Sequence, residues 1–180
     1  KLGQKQFIKI LGRSLRIICL GLCLSFFSKI NVGGLEGIPL LIIRLIFSGF
    51  VGYLLLGNFK DTVKLGIAMA LFVIFIGLAY SGLPAFENVR IPGVLQRLGV
   101  VYFFAAIVFL SFSYRNQFIF GVVILVGYWA AMTFIDVPGF GPANYEKGTN
   151  LAAWVDQVVL KSHVWASSKP WDPEGILSTF

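Results

Sequence analysis

Two apolar stretches frame the middle of the chain: Leu65 to Phe86 and Leu98 to Tyr114 carry no charge. Each is long enough, or nearly so, to cross the ~30 Å hydrocarbon core of a bilayer. Between them lies Glu87 to Tyr102, which holds Arg90, Pro92, Gln96 and Arg97. A polar, partly irregular stretch between two spans belongs at a membrane surface or in a protein-lined cavity. Lipid satisfies neither loose backbone groups nor guanidinium charge. Pro92 fixes φ and lacks an N–H, so it suits the first turn of a helix and predicts a start there. Gln96 and Arg97 then fall about one turn inside. Arg97 either snorkels back to the interface or points into a cavity.

The same reading extends along the chain. Basic residues at Lys1, Lys5, Lys9, Arg13 and Arg16 recur every three or four positions and predict an amphipathic lead-in. It continues into a first span, Ile17 to Ser28, that borrows Gly12 to Arg16. A Gly-rich loop, Lys29 to Gly37, follows as a plain turn. Pro39 to Phe59 is the second span. Its Arg44 must snorkel, pair with an acid such as Glu36, or face a cavity. Ser48, Gly49 and Gly52 suit close helix packing. Leu65 to Ala85, Val94 to Ser113 and Phe118 to Ile135 complete five spans. Within the long polar loop Asp136 to Trp171, Asn150 to Leu160 reads as an amphipathic helix. Its apolar side carries Leu151, Val155, Val158 and Val159, with Asp156 on another side. Asp172-Pro173-Glu174 reads as the N-terminus of a sixth span: Asp as N-cap, Pro first, an acid in the first turn. The predicted fold is all-α, a polytopic transmembrane bundle of about five full spans and the start of a sixth.

Composition strengthens the membrane reading. Of 180 residues, 57% are hydrophobic and only 13% charged, with a mean hydropathy of +0.84, outside the soluble range for both. One membrane domain, residues 1–180, is the natural count. The chain starts at Lys1 rather than Met and stops as an apolar helix begins, so it reads as an incomplete domain from a longer protein. A net charge of +7 would suggest nucleic acid in a soluble protein. Here the basic residues cluster at span ends, and membrane topology accounts for them. With the amino end cytoplasmic, that side carries eight basic residues and the far side five, which favours this orientation. The Glu87–Tyr102 stretch and the long loop then share the outer face. Cys19 and Cys23, four apart in an apolar segment, read as small packing residues, and no further metal ligands lie near them.

Arg90, Gln96, Arg97, Asn150, Asp156, His163, Asp172 and Glu174 all fall near that face. Each has a plain alternative. Asp172 fits an N-cap, Glu174 a helix-dipole partner. Trp154, Trp165 and Trp171 are interfacial anchors or a sugar-stacking platform. Two arginines opposite two carboxylates also make a structural ion-pair lock.

Arg90-Ile-Pro-Gly-Val-Leu-Gln-Arg97-Leu-Gly with Tyr102, Trp171-Asp-Pro-Glu-Gly-Ile-Leu-Ser-Thr179, and Asn150-Leu-Ala-Ala-Trp154-Val-Asp156 with Leu160 and His163 resemble, in order, signatures of the heparan-α-glucosaminide N-acetyltransferase family and its bacterial relatives. The resemblance implies acetyl transfer from cytosolic acetyl-CoA to the amino group of an amino sugar across the membrane. No metal site is expected, since Cys19 and Cys23 have no further ligands near them. Arg90, Gln96 and Arg97 become pocket-lining or oxyanion-facing groups, Asp172 and Glu174 substrate-facing or gate-forming ones, and Asn150 and Asp156 secondary candidates. The family's active-site histidine lies upstream of the matched blocks, so the catalytic base is unassigned and His163 is a weak substitute. An added pair of spans, roughly Pro39 to Phe86, resembles the longer bacterial branch. It favours a bacterial inner membrane and a cell-wall or nutrient amino sugar over heparan. The partners expected are the bilayer and the amino sugar, with a homodimer open and no nucleic acid. A transporter of a sugar or lipid-linked glycan, and a purely structural subunit, are the competing readings.

Overall fold

The computed structural model describes residues 3–179; Lys1 of the basic lead-in and Phe180 lie outside the described residues. The described chain is all helical. Helices α1 (Gln4–Phe27), α2 (Ile38–Leu56), α3 (Asp61–Ala79), α4 (Val94–Ser111) and α5 (Tyr114–Phe134) are followed by a short α6 (Leu151–Leu160) and a 3-10 turn, Leu177–Thr179. The first five are long and apolar enough to span a membrane, and the chain is an integral membrane protein.

α1 is the centre of the bundle. In its most apolar stretch 44% of positions are buried, against 6–17% for the other four. α2, α3 and α4 all pack against it. Cys19, Leu22, Cys23 and Phe26 of α1 form one core with Val51, Leu55, Ala68, Phe75, Ala79 and Val89. The outer faces of α2 and α5 leave large side chains such as Ile46, Phe50, Phe118 and Leu125 exposed, as lipid-facing helices do.

Close packing uses small residues, because apolar helices in lipid gain little from burial alone. A Cβ on Gly99 of α4 would lie 2.6 Å from Ile18 Cγ1 and 3.0 Å from the Ser14 carbonyl oxygen. Ser14 Oγ donates to the Gly99 carbonyl at 2.8 Å, an interhelical bond made possible by that approach. The predicted close packing at Gly49 and Gly52 is not found: nothing lies within 4 Å of a Cβ at either position. They sit on a helix whose partner-facing positions are Val51 and Leu55.

Several boundaries move. The lead-in does continue into the first span, as one helix of 24 residues. Arg16 stays in it by donating to the Gly12 and Leu55 carbonyls. Arg44 takes neither Glu36 nor a cavity; it caps α1, donating to the carbonyls of Ile30 at 2.9 Å and Ser28 at 3.1 Å. The Ser28 carbonyl at the helix end and the Ile30 carbonyl just past it need donors, and a guanidinium reaches both at once. α3 ends at Ala79 rather than Ala85. α4 begins at Val94 with Gly93 as N-cap, so Pro92 precedes the first turn instead of occupying it. No α-helix starts at Pro173; a turn runs from Asp172, and the 3-10 turn Leu177–Thr179 follows where the sequence predicts the start of a sixth span.

Replacing Gly99 by Val is expected to force α1 and α4 apart and to destabilise the bundle by about 1–3 kcal/mol, the usual penalty of overpacking. Thermal unfolding in detergent, read by tryptophan fluorescence, checks this against Gly49→Val, which should be near neutral.

Candidate functional site

The polar end of the bundle is assembled from two segments far apart in sequence, 87–93 before α4 and 161–176 after α6. Arg90 joins them. Its Nε donates to Asp172 Oδ2 at 2.9 Å and its Nη2 to Asp172 Oδ1 at 2.6 Å, a two-pronged pair of the kind only arginine makes. Nη2 also pairs with Glu174 Oε2. The Arg90 guanidinium lies 5.5 Å from the centre of the Trp165 ring. The hydrogen bond to Asp172 raises Arg90 above the ordinary arginine value despite its partial burial, so the cation is fixed. Asp172 has no side-chain exposure. Its carboxylate also accepts from Trp165 N at 2.7 Å and Glu174 N at 3.0 Å. The second of these bonds starts the turn that replaces the predicted helix.

Further bonds close the seam. His163 Nδ1 lies 2.8 Å from the Val89 carbonyl oxygen; since that oxygen only accepts, Nδ1 carries the proton. Ile91 N donates to the His163 carbonyl at 3.0 Å, and Ser162 Oγ to that of Glu87 at 2.6 Å. Tyr80 meets the His163 ring edge-on with centroids 4.7 Å apart. His163 is a buried brace in this arrangement.

Asp156 reverses its expected position. It is 3% exposed, whereas Val158 and Val159 are about half exposed at 52% and 50%. The reason is hydrogen bonding. Its two carboxylate oxygens accept from Asp172 N at 3.1 Å and Ile176 N at 2.9 Å, which offsets part of the desolvation of a buried charge. Burial pushes its carboxyl up, the two N–H donors pull it back, and the neighbouring Asp172 charge adds a smaller upward push. A Cβ on Gly175 would run into this carboxylate, so only glycine fits there. Asn150 is the N-cap of α6, accepting from Ala153 N at 2.9 Å.

Beneath this seam lies a cavity of about 270 Å³ between α1, α3 and α4. Ile18, Leu22, Phe72, Ile76 and Val100 make its apolar walls; Gln96, Arg97 and Glu174 bring polar groups to it. Gln96 is buried against Gly21 and reaches Ser25 Oγ at only 3.5 Å. Arg97 is exposed and donates through Nη2 to the Ser178 carbonyl oxygen at 2.6 Å. Of the seven predicted binding residues, these three therefore border one space. Arg90 and Asp172 form the lock above it, and Asn150 and Asp156 hold backbone. Trp165, already a candidate stacking residue, and Gly175 and Ser178 of the Trp171–Thr179 block belong to the same assembly, though no periodicity marks their contacts.

Human heparan-alpha-glucosaminide N-acetyltransferase is 31% identical over 139 residues, covering 53% of this chain and 21% of that protein. The chain is similar to an N-acetyltransferase. It spans about a fifth of that relative's length. No protein-family model matches the chain, and no solved structure does. The relative is a transferase, and the polar end described above is the candidate site of this membrane-embedded helical bundle.

Asp156→Ala leaves the N–H groups of Asp172 and Ile176 without acceptors, at about 1–3 kcal/mol each. The 161–176 segment should loosen, and trypsin should cut after Lys161 at least several-fold faster than in the parent. Equal cleavage rates would show that the carboxylate does not hold the turn.

Proposed function

We propose that the chain is part of an integral-membrane acetyltransferase. It moves acetyl from acetyl-CoA, supplied on the cytoplasmic side, to the amino group of an amino sugar at the opposite face. The 1–180 segment would act as one acyltransferase-like unit, in a bacterial inner membrane, with its amino end cytoplasmic. The observation that carries the reading is the convergence of Gln96, Arg97 and Glu174, from α4 and the post-α6 turn, on one apolar-walled cavity, in a chain similar to an N-acetyltransferase.

The chemistry asks for few groups. The amine nitrogen attacks the acetyl carbon, the carbon–sulfur bond breaks, CoA leaves as the thiolate, and the amine gives up a proton. Negative charge develops on the carbonyl oxygen, and a preorganised cation stabilises it. Arg97 is suited to that: one of its N–H donors goes to Ser178, and a guanidinium has five. Glu174, with 21% side-chain exposure and one oxygen engaged by Arg90, has acceptor capacity left for an amine. Gln96 shapes the wall through its fit against Gly21. Arg90 and Asp172 position Glu174 and do not touch substrate.

Full-length protein in sealed vesicles, given labelled acetyl-CoA and a panel of amino sugars, tests the reading. Arg97→Ala should lower transfer by about 10²–10³-fold, as loss of an oxyanion donor does, while the protein stays inserted. Parental turnover by that variant removes Arg97 from the site. Sugar uptake without acetylation would replace the transferase by a transporter.

A further inference from the structure

α3 and α4 both pack on α1 but not on each other: no Cα of one comes within 8 Å of the other. The space between them is the cavity of about 270 Å³. Ile18 and Leu22, one turn apart on α1, form its floor, while Phe72 and Ile76 of α3 and Val100 of α4 form its walls. Glu174 and Thr179, from the segment after α6, border it as well.

Three properties decide what fits. The first is size, about 270 Å³ of room between three helices. Walls of Ile, Leu, Phe and Val offer water no hydrogen-bond partners; Gln96, Arg97 and Glu174 bring the polar groups. A slender hydrocarbon chain suits both the bore and the walls. At the polar end Arg97 is exposed, forms no ion pair among the described residues, and has donors beyond the one given to Ser178. Glu174 beside it is engaged by Arg90, which leaves Arg97 as the cation with no carboxylate partner among the described residues. A guanidinium fork fits phosphate oxygens two at a time.

We propose that this cleft seats one hydrocarbon chain of a phosphate-bearing amphiphile that enters from the membrane between α3 and α4, with its phosphate on Arg97. The cavity is the one used for acetyl transfer, but the inference rests on its shape and rim charge, so either reading can fail alone.

The probe is dodecyl phosphate carrying a diazirine at its chain end. It is added to full-length protein in phosphatidylcholine nanodiscs, irradiated, and the label mapped by peptide mass spectrometry. Label is expected on Phe72, Ile76 or Val100. Arg97→Gln should reduce it about tenfold, a change worth ~1.4 kcal/mol. Val100→Trp, and separately Ile76→Trp, should exclude the chain and abolish wall labelling; melting temperature confirms that each variant folds, and either one suffices. Millimolar inorganic phosphate should not compete. Effective competition would make free phosphate the ligand and overturn the seated chain. Even labelling over the outer faces of α2 and α5, or wall labelling indifferent to both Arg97→Gln and a folded wall variant, overturns the proposal. Wall labelling that obeys these variants, with no amino sugar acetylated, would leave the lipid cleft standing and remove acetyl transfer alone.

Discussion

The Arg90–Asp172 pair is the constraint on which the polar end of the bundle depends. Helices with apolar surfaces on all sides gain little from meeting one another in lipid, so their register is weakly specified by burial. Two charges withdrawn from solvent are a different matter. Asp172 is fully enclosed, and its charge is tolerable because a guanidinium grips both oxygens and two backbone N–H groups add to them. Removing one partner strands the other, which costs about 3–5 kcal/mol. That penalty fixes the segment before α4 to the segment after α6, 82 residues later. The neutral bonds along the same seam, from His163, Ile91 and Ser162, then fall into place at no great individual strength.

Asp156 works on the other side of the same turn. By accepting the N–H groups of Asp172 and Ile176, it presents the Asp172 carboxylate to Arg90 and sets Glu174 over the cavity. The two carboxylates repel each other, which contributes to the upward push on Asp156. The arrangement holds because each acid has its own donors. Gly175 is part of the design, since any side chain there would displace the Asp156 oxygens.

The spans are legible in the sequence because apolar runs ended by Gly, Pro and charged turns leave few alternatives. α2, α4 and Asn150 at the start of α6 lie within about three residues of their predicted places. The basic lead-in before Ile17 runs on into the first span as expected, with Arg16 donating to carbonyls of its own helix and of α2. What misleads is charge. Asp156 predicts a polar face by its type, and sits instead on the buried one. Its donors are 16 and 20 residues downstream, and no local period carries that information. The residues of the polar end are readable as an inventory for the same reason that their pairing is not. Arginine and carboxylate types announce a costly group near a membrane, while the choice between a lock and a binding site is made by which atoms the fold brings together.

That choice divides the charges into two kinds. Arg90 and Asp172 spend their hydrogen-bonding capacity on each other and on backbone, and a group so engaged has little left for a ligand. Arg97 is the reverse: one bond to a carbonyl, an exposed head, and an apolar cavity at its side. Glu174 stands between them, paired to Arg90 yet lining the cavity. A cationic ligand group drawn to Glu174 must share it with Arg90. Binding there would weaken the second arm of the lock while leaving the two-pronged Asp172 arm intact. The fold is thus insulated from the ligand by the very redundancy of Arg90's contacts, and the one carboxylate that serves both is the one whose loss the lock can absorb.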